Sequence, residues 1–207
     1  MHKNINYQMN TYETERCILR PIQLEDANDM FEYYSKDYVV QYLPIKHHKT
    51  ILETRRFIKS YFLHSYNLGK ISHLAIIFKN TNKVIGNVGF NNISQNSKEG
   101  ELGICINPEY WGMNLSYELL STMLVYGFDE LHLEKVTATI YEDNKYSKNI
   151  FDKLGFKNVG RLKKLVSYYR HQPVYCYNYE MTRDYYFSKN KKIKDWLIWK
   201  KVMTIDG

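Results

Sequence analysis

Four prolines and ten glycines among 207 residues are too few for a collagen-like chain or a low-complexity disordered one. Cysteine is limited to Cys17, Cys105 and Cys176. Three widely spaced thiols with no CxxC pair make neither a disulfide framework nor a zinc pattern, so no metal is expected. They read as reduced thiols of a cytoplasmic protein. No apolar run approaches the roughly 18–20 residues of a membrane span. Residues 1–10 also lack the apolar stretch of a signal peptide.

What is present suits a globular protein: 44% hydrophobic residues and 25% charged ones. A chain of this length buries about 70% of its unfolded surface and needs no covalent or metal staple. The formal charge of +7 is uneven. Residues 188–207 hold six lysines against Asp195 and Asp206, and so carry more than half of the surplus. The organisation expected is one domain over residues 1–187 and a basic, Trp-containing tail or helix over 188–207. Because the basic charge is mainly in the tail, nucleic acid is a disfavoured partner. Within that tail Ile193, Trp196, Leu197 and Lys200 follow helical spacing. Exposed tryptophans are unusual, which favours packing on protein and is compatible with a homodimer.

Strands and helices alternate along the chain. Residues 15–20 form a strand pattern and residues 24–35 a helix, with Ala27, Met30, Phe31 and Tyr34 on one face. Residues 37–49 read as a polar, aromatic loop. Thr50 and Glu53 then make a capping box for a helix that runs to about residue 66. Strand patterns follow at 73–78, 84–90 and 101–106. Residues 115–131 form the strongest helix, striped by Leu119, Leu120, Met123, Leu124, Phe128 and Leu131. A strand at 135–141, a helix at 144–154 ended by Gly155, and a strand at 174–181 complete a mixed α/β domain.

Three places carry candidate chemistry. The segment Asn107-Pro-Glu-Tyr-Trp-Gly-Met-Asn-Leu-Ser116 joins a strand to the long helix. Such a junction gathers backbone N–H groups and the positive helix end, which attract phosphate. Gly112 and Asn114 tolerate the left-handed backbone that a tight loop requires. An ordinary capped turn has the same composition. Next, on a strand at 101–106, Leu102, Ile104 and Ile106 share one face and Glu101, Gly103 and Cys105 the other. A carboxylate beside two small residues leaves room for a ligand to approach the backbone. It is equally an edge glutamate facing water. Finally, Ser147 falls in the first turn of a helix whose N-cap is Asn144, on the face of Ile150, Phe151 and Leu154.

Glu101-Leu-Gly-Ile-Cys-Ile-Asn-Pro-Glu-Tyr-Trp-Gly112, the long helix, Asp143-Asn-Lys-Tyr-Ser147 and Lys153-Leu-Gly-Phe156 together resemble the GNAT N-acetyltransferase superfamily. Glu13-Thr-Glu-Arg16, Leu19-Arg-Pro21 and Leu24-Glu-Asp-Ala27 are similar to the opening of its RimJ/RimL-like branch. The resemblance spans residues 12–185. It implies a twisted mixed sheet of six or seven strands flanked by helices, whose central parallel strands at 101–106 and 135–141 splay apart to admit acetyl-CoA. The pantetheine arm would pair with backbone at Ile104, Cys105 and Ile106. The pyrophosphate would lie on amides of Trp111, Gly112, Met113, Asn114, Leu115 and Ser116. Asn144, Ser147 and Phe151 would flank the pantetheine and thioester. Glu101 is then the candidate base acting through water, and Ser147 the group at the thiolate, in direct transfer to a primary amine.

There are departures from the family's phosphate loop. Trp111, Asn114 and Ser116 stand where it has Arg or Gln, Gly, and Gly or Ala. Phe151 stands where some relatives have an acid tyrosine. The acceptor would be a small-molecule amine or a peptide N-terminus, walled by residues 37–50 and 163–173. His47 and His48 have no ligand set around them and read as solvated. Two other readings stand beside the enzyme: a CoA-binding regulator without turnover, and a ribosome- or RNA-associated protein using the tail.

Overall fold

A computed structural model describes residues 10–70, 72–94, 96, 98–164, 174–189 and 200–202. In chain order, β1 (Thr11–Glu13) and β2 (Cys17–Pro21) are followed by α1 (Ala27–Tyr34) and α2 (Asp37–Val40). Next α3 (Ile51–Phe57) passes through a π-type stretch at Ile58–Leu63 into α4 (His64–Asn67). Three strands come after it: β3 (His73–Phe78), β4 (Lys83–Ser94) and β5 (Glu99–Ile106). Helix α5 (Leu115–Val125), prolonged by a π-type stretch at Tyr126–Glu130, leads to β6 (Lys135–Tyr141) and α6 (Lys145–Leu154). The last elements are β7 (Lys157–Lys164), β8 (Val174–Thr182), α7 (Arg183–Lys189) and β9 (Lys200–Val202).

All nine strands form one sheet in the order β7-β8-β6-β5-β4-β3-β2-β1-β9. Every neighbouring pair is antiparallel except β5 and β6, which are parallel. This is the mixed α/β sheet flanked by helices that the sequence implies. It is extended at both edges by β7, β1 and β9, which carry no strand signal. β7 hides its pattern under charges such as Lys157 and Arg161, which are exposed and of the kind that protects an edge strand from further pairing. In the tail, residues 200–202 pair with β1. Ile193, Trp196 and Leu197 lie outside the described residues.

Helices cover both faces. On one, Leu115, Leu119, Leu120, Met123 and Phe128 of the long helix pack on Leu102, Ile106, Val136 and Ala138. On the other, Met30, Tyr33 and Tyr34 of α1, with Ile58 and Phe62, pack on Ala75, Ile77, Val84 and Cys105. Local signals fix the helix ends. Thr50 Oγ1 accepts from Glu53 N at 3.3 Å while the Glu53 carboxylate accepts from Lys49 N at 2.6 Å. Asn144 Oδ1 accepts from Ser147 N at 3.0 Å, and Gly155 closes α6 in the left-handed region at φ 88°.

Candidate active site

β5 and β6 pair only at their base, where Glu99, Gly100 and Glu101 face Lys135, Val136 and Thr137. Beyond those three pairs the strands diverge. β5 stays bonded to β4 up to Ile106, and β6 to β8 up to Tyr141. The result is a fork with Glu101 and Thr137 at its base. Each arm runs into a helix start: β5 through residues 107–114 into α5, and β6 through residues 142–144 into α6. The two helices also contact each other.

The alternation of backbone groups shows what lines the gap. Asn107 N donates to Ile85 O at 2.7 Å, so Asn107 faces β4. By the two-residue repeat Cys105 and Gly103 face β4 as well, and Leu102, Ile104 and Ile106 turn their N–H and C=O toward the gap. Ile106 O already accepts the Trp111 indole N–H at 2.8 Å. The expected pairing through Cys105 is therefore not available from its backbone, which is spent on β4. Its side chain is buried in the helix-covered face, and burial pushes the thiol up to about 12, far from a nucleophile's range.

The loop after β5 has the backbone its sequence suggests. Gly112 and Asn114 are both left-handed, at φ 79° and φ 59°. Trp111, Gly112, Met113 and Asn114 are exposed, whereas Leu115 and Ser116 are buried at the first turn of α5. Arg16 braces this loop. It donates to Met113 O at 2.7 Å and pairs with Glu118 of α5 at 2.7 Å, bringing a guanidinium beside the loop although Met113 itself is uncharged. On the other arm, Ser147 is half-buried at the start of α6. Phe151 is buried in the core against Phe156 and Tyr179.

Around Glu101 the structure adds groups that the sequence did not reveal. Glu101 is half-buried, and its partner across β4 is Asn92, just past a bulge at Asn91. Tyr61 lies within electrostatic reach, its phenol held above the usual range by burial and then by the Glu101 charge. Asn91 fills the space above Gly103: a methyl group on Gly103 would sit 3.0 Å from Asn91 Nδ2. The room expected over that glycine is thus partly occupied by an amide. His73 bridges Asn91 Oδ1 and Asn87 Nδ2, each at 2.8 Å, and Asn87 Oδ1 accepts from Tyr33 at 3.2 Å and Tyr34 at 2.8 Å. Burial lowers His73 to about 4, with the Asn91 bond offsetting part of the effect. No single-sequence signal links these residues, which come from α1, β3 and the middle of a bulged β4.

On the side walled by residues 37–50 there is a cavity of about 820 Å³, lined in part by Asp37, Lys46, His47, Lys49, Arg56 and Phe57. Phe57 stacks on Tyr61 with ring centres 5.3 Å apart, which connects the cavity to Glu101. Tyr38 meets Trp111 edge-on, and Tyr42 reaches across to Tyr141 at the end of β6. The reading of both histidines as solvated fails for His48. It is buried, bonded to Thr54 Oγ1 at 2.9 Å, and packed on Tyr34 and Phe57. His47 Nδ1 lies 2.5 Å from the Asp37 carboxylate. The second wall, residues 165–173, lies outside the described residues. Among the described residues no group of three or more His, Cys, Asp or Glu could hold a metal, and no helix is long and apolar enough to cross a membrane.

A mixed sheet forked between its parallel strands, with a helix following each arm of the fork, defines the class of α/β domain to which this chain belongs. Residues 16–157 match the family described as Acetyltransferase (GNAT) domain, and the chain belongs to that family of acetyltransferases. "Uncharacterized N-acetyltransferase p20" of Bacillus licheniformis is 31% identical over 156 residues, covering 75% of this chain and 86% of that protein. The fold is shared with the ribosomal-protein-S5-alanine acetyltransferase from Vibrio fischeri (TM-score 0.70, 23% identity, 84% of this chain and 97% of that one). It is also shared with the spermidine N-acetyltransferase from Vibrio cholerae in complex with CoA and spermine (TM-score 0.71, 17% identity, 83% and 98%).

Proposed function

We propose that this protein is a cytoplasmic, RimJ/RimL-like N-acetyltransferase that moves the acetyl group of acetyl-CoA directly to a primary amine, on a small molecule or a peptide N-terminus. The observation that carries the reading is the fork: strand-like backbone groups of Leu102, Ile104 and Ile106 face a gap that ends at two helix starts. A pantetheine arm has peptide-like amides suited to such groups, and phosphates suit free N–H groups at a helix start. The residues present therefore fit acetyl-CoA. The fold-sharing Vibrio cholerae enzyme holds CoA, which supports the same choice. The buried Cys17, Cys105 and Cys176, none of them in a disulfide, agree with a reducing compartment.

The residues that would hold the co-substrate are Ile104 and Ile106 along β5, residues 111–116 at the phosphates, and Asn144 and Ser147 on the opposite arm. Acetyl-CoA supplies an acetyl group activated as a thioester. A protonated amine has no free lone pair, so Glu101 acts as the base and takes its proton through a water. A gap-facing amide of β5 donates to the carbonyl oxygen as negative charge builds there. Ser147 donates toward the leaving sulfur. Phe151, sunk in the core, offers no phenol for the task.

Calorimetry with acetyl-CoA, desulfo-CoA and ATP tests the reading. Acetyl-CoA and desulfo-CoA should share a site that ATP does not occupy. An amine panel read by thiol release should then yield an acceptor on which Glu101→Gln lowers kcat/KM about 100-fold or more with acetyl-CoA binding retained. Absence of any acetyl-CoA binding refutes the proposal.

A further inference from the structure

We propose that Asn91 is a positioning residue for proton removal: its side-chain N–H, aimed by a hydrogen-bond chain rooted in the core, orients a water so that one of the water's protons points at Glu101. The role rests on the acetyltransferase reading above.

The chain has a direction. Tyr33 and Tyr34 are buried, and burial holds both phenols far above their usual range, so both stay protonated and both need acceptors. Asn87 Oδ1 is the acceptor they share. Turning the Asn87 amide over would leave at least one buried phenol proton unsatisfied, at a cost of about 1–3 kcal/mol. With the oxygen toward the tyrosines, Asn87 Nδ2 donates to His73 Nδ1. Neutral His73 then carries its proton on Nε2 and donates to Asn91 Oδ1. The Asn91 oxygen is thereby fixed inward, and its Nδ2 is left to donate outward.

The outward end lies at the reaction centre. The Asn91 amide lies over Gly103, its Nδ2 and Oδ1 at 3.0 and 3.1 Å from where a methyl group would be, on the face of β5 that also carries Glu101 two residues away. The Cα repeat from Gly103 to Glu101 is about 6–7 Å, and the water sits between the Asn91 amide and the Glu101 carboxylate. Residues 87, 89 and 91 alternate onto this face, and past the bulge Asn92 pairs with Glu101. A water that accepts from Asn91 has one lone pair left, to accept from the substrate ammonium, and its protons are free to meet Glu101. The ammonium gives a proton to the water as the water gives one to the carboxylate; the water is regenerated and the amine gains its lone pair. Asn87 has no basic nitrogen, so the chain orients and does not itself conduct protons.

The test compares wild type, Asn91→Ala and Asn91→Asp on an acceptor from the amine panel. Asn91 is exposed, so both variants should fold. Acetyl-CoA affinity should stay within about twofold and the amine KM within about threefold, while kcat falls about 10–100-fold, part of what a general base contributes. Unchanged kcat in Asn91→Ala overturns the role alone. A wild type that releases no thiol with any amine overturns the transferase reading and this role together. Imidazole 15N NMR gives an answer that needs no substrate. His73 should carry its proton on Nε2, and a proton on Nδ1 would reverse the chain, turn the Asn91 oxygen outward and overturn the proposal.

Discussion

Acidification should cost this fold stability through His73. An imidazole in the unfolded chain titrates near 6.5, whereas burial brings His73 down to about 4. Its folded form therefore binds a proton less readily than its unfolded form. The stabilisation is complete above about pH 6.5 and is lost as the pH falls toward 4. At 1.36 kcal/mol for each tenfold difference, the displacement amounts to about 3 kcal/mol at full effect and about 2 kcal/mol near pH 5. For a chain of this size that lowers Tm by about 4–8 °C between pH 7 and pH 5. His48 is shifted in the same direction by burial and adds to the trend. The assay is a series of thermal melts between those pH values for wild type and His73→Gln. Glutamine keeps a donor and an acceptor but does not titrate. The variant should melt lower near neutrality, yet lose about 4–8 °C less on acidification. Equal losses in the two proteins would show that His73 is not held neutral by its burial, and the reasoning would fail.

Two substitutions probe the backbone around the fork. An ordinary L-residue in the left-handed region costs about 1–2 kcal/mol, so Asn114→Val, at φ 59°, should lower Tm by about 2–8 °C and weaken acetyl-CoA binding, whereas Asn114→Gly should do neither. Melts and calorimetry decide this, and a valine variant equal to wild type in both would refute it. A methyl group on Gly86 would lie 2.2 Å from the Cys105 carbonyl oxygen, which is backbone and cannot rotate away. Gly86→Ala should cost about 3 kcal/mol or more by forcing β4 from β5; an unchanged Tm would contradict the close approach.

Legibility in the sequence followed the range of the signal. The caps at Thr50 and Asn144, the stripe along α5 and the left-handed Gly112 and Asn114 are local, and each could be read from its own few residues. β5 was legible because Leu102, Ile104 and Ile106 alternate cleanly against a helix-covered face. β7 was not, because an edge strand carries its lysines and arginine where a buried strand has apolar residues. Burial of His48 depends on Tyr34 and Phe57 closing over it from separate helices, which no neighbouring residue foretells. The hydrogen-bond chain from Tyr34 to Asn91 is the extreme case. Its members are 14 to 53 positions apart in each step, and no spacing within one strand or helix reports contacts at that range. The backbone directions within β5 were open for a related reason. Which residues face the gap is settled by one hydrogen bond, from Asn107 to Ile85.

Three register pairs, from Glu99–Lys135 to Glu101–Thr137, are all that join the ladder of β9 and β1 through β5 to the ladder of β6, β8 and β7. Mechanically the sheet is two plates hinged at one corner. Torque applied to either plate is borne in the ladder by those few bonds, and the angle between the plates sets the width available to anything that enters. The sheet's most adhesive backbone is thus at its centre, where lysines of the kind that guard β7 could not be placed without being buried. The gap-facing backbone groups there keep the spacing of a strand, so the gap has the periodicity of a missing neighbour.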